Sequence, residues 1–127
     1  MAIAGLVLAV LAALVHVFIF YLESLVWTSA KARAVFGTSP QAAEATKEMA
    51  FNQGFYNLFL AIQAFIGVLL YATGHESIGR ALVFAGAGAM AAAALVLLVS
   101  SPDKRAAAIK QGVLPSLAVL FLALSSI

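Results

Sequence analysis

Between Ala2 and Leu22 the chain carries no aspartate, glutamate, lysine or arginine. A run of that length crosses a bilayer as a helix, because about 20 residues at about 1.5 Å each cover the hydrocarbon core of about 30 Å. Further apolar runs follow, and the expected spanning helices cover about 3–27, 50–72, 79–100 and 104–126. The last is apolar, apart from Ser116, only from Val113 to Leu124. In lipid only helices and closed barrels satisfy every backbone group. The runs lack the period-two alternation of barrel strands. With 65% hydrophobic and 9% charged residues, against about 25% charged in a soluble domain, the chain cannot cover a water-facing surface. The expected fold is all-α: a single membrane domain, an integral membrane four-helix bundle running up-down-up-down. The first run exceeds a signal peptide's apolar core and lacks a basic segment before it, so it is expected to stay in the membrane.

The connections set the orientation. Ser39-Pro40 reads as an N-cap followed by proline in the first turn. The second helix is therefore expected to start at Pro40, as a cytosolic extension of the 50–72 span. Ser101-Pro102-Asp103 is the same signal before the fourth helix, which is taken to occupy 102–126. Lys31, Arg33 and Lys47 lie in the first connection, Lys104, Arg105 and Lys110 in or after the third, and Arg80 alone beside the second. Six against one places the first and third connections in the cytosol and both termini outside. On the third helix, Ala85, Ala89 and Ala93 form one small-residue stripe, and Gly88 with Ala92 another. Such stripes let helices approach closely, either inside the bundle or between copies in a homo-oligomer.

His16 sits inside the first run and Glu23 at its end. Ionisable groups at such depth face protein or a water-filled cavity and mark functional sites. His16, Phe20, Glu23 and Trp27 fall on one helical face at about 100° per residue. On the second helix Asn52, Tyr56, Phe59 and Gln63 share a face, with Gln53 and Asn57 on the adjoining one. If the two helices are antiparallel neighbours, these groups meet in a polar pocket on the cytosolic side. Lys110 and Gln111 of the fourth helix reach a similar level, and Glu23 with Lys110 is a candidate ion pair. The structural alternatives are a core histidine bonded to a carbonyl, amides gluing helices together, and Trp27 as an interfacial anchor.

The chain has no cysteine, which removes disulfides, thiolate nucleophiles and iron–sulfur clusters. No metal site is expected, since no His and carboxylate set has zinc-site spacing. Haem on a single axial His16 is compatible with a membrane bundle, but no feature requires it, so the cofactor is left unknown. A net charge of +2 without a basic stripe excludes a nucleic-acid partner.

The segments HVFIFYLESLVW (His16 to Trp27) and FNQGFYNLFLA (Phe51 to Ala61) resemble the two signature stretches of a small bacterial four-helix membrane family, domain of unknown function 1304. The resemblance extends over essentially the whole chain. It implies His16, Glu23, Asn52, Gln53, Gly54, Tyr56 and Asn57 as hallmark positions, and a bacterial inner membrane as location. It implies no reaction. Four-helix membrane enzymes of the eicosanoid and glutathione type are similar in size, but their arginine-rich glutathione site is missing here.

Three functions remain open. The first is an intramembrane enzyme of isomerase or lyase type acting on a small lipophilic substrate. His16, Glu23, Tyr56 and Asn57 would be its catalytic groups, and Asn52, Gln53, Gln63, Lys110 and Trp27 would line the ligand site. His16 and Glu23, two turns or about 10 Å apart, would flank a ligand rather than touch. The second is a proton-coupled transporter, which four helices could form only as an oligomer. The third is a non-catalytic subunit of a membrane complex. The first is preferred, with membrane lipid, a lipophilic ligand and further copies of the chain as partners.

Overall fold

The computed structural model describes residues 1–126. Among them are five helices and no strand: α1 (Ala2–Phe20), α2 (Ala30–Phe36), α3 (Pro40–Ala72), α4 (Glu76–Ser100) and α5 (Arg105–Leu124). Four of these elements are long and apolar enough to cross a membrane. They form a square bundle in which α1 packs on α3 and α5, and α4 packs on α3 and α5. One end of the bundle holds the start of α1, the end of α5 and the α3–α4 turn. The other, the basic end, holds α2 and the start of α5, with Lys31, Arg33, Lys104 and Arg105.

The core is made of small side chains. Ala12, Ala13, Ala61, Ala64 and Met90 form one buried cluster, and Ala9, Val83, Ala87, Ala118 and Leu122 another. Without a hydrophobic force between helices in lipid, close backbone approach supplies the packing. Glycines carry it furthest. A Cβ on Gly67 would lie 2.8 Å from Val83 Cγ2, and one on Gly5 2.7 Å from Leu122 Cγ. At Gly79 it would collide with the Tyr71 backbone.

Two details differ from the sequence expectation, and one placement it left open is decided. The first helix does not run regularly to Trp27. After Phe20 it widens into a π-helical turn, Tyr21–Leu25, in which Val26 N donates to Tyr21 O at 3.3 Å. A π turn inserts a residue and re-aims those around it. The connection after it is not merely a loop, since α2 forms there. Ser29 Oγ caps its start by accepting from Ala32 N, and Gly37 ends it at φ 64°, a left-handed conformation that glycine adopts without strain. Finally, Ala85, Ala89, Ala92 and Ala93 are exposed on the outside of α4. Its inward face is Gly79, Val83, Gly86, Ala87, Met90 and Ala94.

α3 begins at Pro40, with Ser39 Oγ accepting from Ala42 N at 3.1 Å. Its 33 residues measure about 50 Å at about 1.5 Å each. It is therefore longer than a bilayer core, and its first turns, carrying Glu44, Lys47 and Glu48, extend beyond the apolar part at the basic end.

Candidate intramembrane site

The π turn and Gly54 together create the site. Ser24 Oγ donates to Phe51 O at 2.8 Å, tying the turn to α3. Gly54 lies under the turn, where a Cβ would overlap Ser24 Oγ and approach Glu23 Cβ at 3.1 Å. With the two backbones this close, the Glu23 side chain is held against α3, and its Oε2 accepts from Asn57 Nδ2 at 2.8 Å. Asn57 Nδ2 also donates to Gln53 O at 3.2 Å. Glu23 is only 9% exposed. The expected Glu23–Lys110 ion pair is not formed, since Lys110 is exposed on the outer side of α5 and Glu23 has no salt bridge among the described residues.

His16, 2% exposed, lies nearer the middle of α1. Its Nδ1 is 2.8 Å from Ala12 O. That carbonyl can only accept, so Nδ1 carries the proton and donates. Nε2 has no partner among the described residues, yet no fully enclosed polar side-chain atom there lacks one. Nε2 is thus the accessible edge of the ring, and His16 lines a cavity. When the ring is neutral, this arrangement puts the lone pair on Nε2, the form needed in a general base or an axial metal ligand.

The cavity measures about 830 Å³. α1 contributes His16, and the π turn with the residues after it contributes Glu23 and Trp27. α3 contributes Thr46, Gln53, Asn57 and Leu60, α4 contributes Met90, Val96 and Leu97, and α5 contributes Gln111. At the basic end Phe36 and Thr38, on and after α2, cover it, and Lys104 adds a cation. This cover is held by three contacts. Trp27 Nε1 donates to Thr46 Oγ1 at 3.1 Å, the Trp27 and Phe36 rings stand 5.2 Å apart, and Lys104 Nζ donates to Phe36 O at 3.0 Å. A second groove of about 460 Å³ lies on the far side of Glu23 and Trp27, against Glu44, Lys47 and Phe51. Glu23 and Trp27 are the wall between the two.

Of the residues singled out in the sequence, His16, Glu23, Trp27, Gln53 and Asn57 come together around the cavity. Tyr56, Asn52, Gln63 and Lys110 do not. Tyr56 is 70% exposed on the outer face of α3. Asn52 donates to Glu48 O of its own helix at 3.2 Å. Gln63 is half-buried away from the cavity. The α3 face turned inward is the one through Gln53 and Asn57, because the small residues Ala50, Gly54, Ala61 and Ala64 are what α1 and α4 can approach. Phe20, expected beside His16 and Glu23, packs edge-on against Phe55 with centroids 5.1 Å apart. Thr46, Met90 and Lys104 were not anticipated. Thr46 was findable, since it continues the Gln53–Asn57 stripe by two further turns. Among the described residues no three His, Asp or Glu side chains are grouped as a metal would need.

A bundle of four helices long and apolar enough to span, with a core of alanine and glycine and a histidine and a glutamate at its inner wall, is that of a multi-pass membrane protein. The family model for protein of unknown function DUF1304 matches residues 10–123, and the chain belongs to that family. No curated protein and no solved structure matches it.

Proposed function

We propose that this protein is an intramembrane enzyme that moves a proton on a small lipophilic substrate, by isomerase- or lyase-type chemistry at an oxygen-bearing carbon. One observation carries the reading: His16 Nδ1 is committed to Ala12 O, which leaves Nε2 as an unpartnered base on the wall of a large cavity. Nε2 removes the proton. Glu23, fixed by Asn57, is the second acid/base group on the same wall. Gln53 and Gln111 supply amide donors for the substrate oxygen in place of Tyr56, which faces away.

The basic end is the cytosolic side of a bacterial plasma membrane in this reading, supported by six lysines and arginines at or near it against Arg80 at the other. Both termini then face outside. Assembly as a homo-oligomer, through a face other than the α3–α4 side, belongs to the same reading.

Native mass spectrometry of the full chain released from mild detergent tests the proposal, on the wild type, His16→Ala and Glu23→Gln. A co-purifying small molecule in the wild type, reduced or lost in the variants at unchanged oligomer mass, is expected. A wild type without such a molecule, whose oligomer collapses in His16→Ala, would make His16 a packing residue and end the enzyme reading.

A further inference from the structure

α3 and α4 close against each other at one end and part at the other. Gly67, Gly79 and Gly86 hold the two backbones together, the last with its Cβ position 3.2 Å from Leu60 O and Ala64 N. Past Gly86 each helix is pinned to a different neighbour. α3 turns to α1, where Gly54 meets Ser24. α4 turns to α5, where a Cβ on Gly112 would stand 2.6 Å from Ala94 Cβ. With the two helices drawn to opposite partners, the cavity lies between them and is lined from both sides.

The gap has lips. Met49 of α3, 74% exposed, and Val96 of α4, 66% exposed, both line the cavity while facing outward. Ala93, also exposed, lines it one turn deeper. Leu60 and Met90 stand where the gap begins. From Met90 to Ser100 is about 15 Å along α4 at about 1.5 Å per residue, half the thickness of a bilayer core. The opening is thus about as long as one leaflet is thick. The end of the cavity beyond the membrane is instead covered by Trp27, Thr46, Phe36 and Lys104 through the contacts above. Apolar lips repel a hydrated solute and admit a molecule already dissolved in lipid.

We propose that the cavity is entered sideways from the membrane, between α3 and α4, and that its ligand is an amphiphile of the adjoining leaflet. Its oxygen-bearing end lies toward His16 and Glu23 and its apolar part in the gap by Leu60, Met90 and Val96. The inference rests on the reading above, that the cavity holds a lipophilic molecule.

The test uses the full chain in lipid nanodiscs and two diazirine photolabels whose carbenes insert into any nearby bond. One is a fatty acid with the diazirine in mid-chain, and the other a small water-soluble sulfonate. Labelled residues are mapped by peptide mass spectrometry. The fatty acid is expected to label Leu60 and Met90 themselves, located by fragmenting the peptides, and the sulfonate is expected not to. Ala93→Trp, which puts bulk at the lip, should abolish that labelling and spare the outward Ile66 and Leu69. Ala85→Trp, two turns away on the outer face of α4, should leave it unchanged and controls for added bulk. Labelling of Leu60 and Met90 by the sulfonate alone would overturn the lateral entry and keep the cavity. Fatty-acid labelling that survives Ala93→Trp would overturn the α3–α4 route. Labelling by neither probe would overturn both this inference and the function it rests on.

Discussion

The two ends of this bundle are built from the same four helices and do opposite things. At the end with the α3–α4 turn, α3 and α4 touch backbone to backbone through Gly67 and Gly79. Arg80 is used up there, donating to Tyr71 OH at 3.1 Å, to Leu122 O at 3.3 Å and to Ser126 Oγ, with its guanidinium over the Tyr71 ring. At the basic end the same helices diverge, and the polar groups of the wall are only half used: Glu23 has one bonded oxygen, and His16 one bonded nitrogen. Packing through glycine leaves no room for a ligand, whereas polar side chains on diverging helices leave both room and free valences. The closest α3–α4 packing thus lies away from the cavity.

Glycine substitutions are the sharpest way to break this contrast. Gly79→Leu should be the most damaging single change, because its Cβ meets the Tyr71 backbone and the Gly67 carbonyl, neither of which can rotate away. A loss of about 3 kcal/mol or more is expected, at the upper end of overpacking effects, seen as aggregation or a collapsed thermal midpoint in detergent. Gly54→Ala, at the cavity end, should cost less, about 1–2 kcal/mol. The first atom it meets is the Ser24 hydroxyl, and Ser24→Ala added to it should restore part of the loss. Equal damage at both positions would mean the basic end is no looser than the other.

Asn57→Ala removes the donor to Glu23 Oε2. Because Glu23 borders a cavity that water can enter, the loss should be about 1 kcal/mol, at the low end for an unsatisfied buried acceptor. The larger effect should be on the co-purifying ligand, whose retention in native mass spectrometry should drop. Tyr56→Phe should leave that retention unchanged, the hydroxyl being on the outer face. Gly88→Ala should do least. A Cβ there meets nothing within 4 Å, so unfolding should be unchanged or shifted upward by less than about 1 kcal/mol through helix propensity.

Much of the fold was legible in the sequence because lipid leaves few choices. Long uncharged runs become helices, and Ser39-Pro40 starts one. Within the site, His16 and Glu23 stood out as ionisable groups where none is expected. The inward face of α3 did not, because polar side chains lie on more than one of its faces. Asn52, Tyr56 and Gln63 share a face and outnumber Gln53 and Asn57. What decides the facing in a membrane bundle is which stripe allows backbone contact, and the stripe Ala50, Gly54, Asn57, Ala61, Ala64 was there to be read. The π turn was not readable at all. Its extra residue is held by contacts to α3, such as Ser24 to Phe51 O, and no local signal in Tyr21–Leu25 announces it. Lys104 displaced Lys110 for a similar reason, since its partner, the Phe36 carbonyl, belongs to a helix the sequence did not suggest.

The proposed proton transfer depends most on the free nitrogen of His16. Solid-state nitrogen-15 NMR of the protein in lipid, with its two histidines labelled and His75→Asn used to assign the signals, reads the protonation of each ring atom directly. A His16 with the proton on Nδ1 and a bare Nε2, its Nε2 shift moving when a lipophilic ligand is added, is the predicted result. A His16 protonated on Nε2 would turn the ring's lone pair away from the cavity and contradict the proposed base.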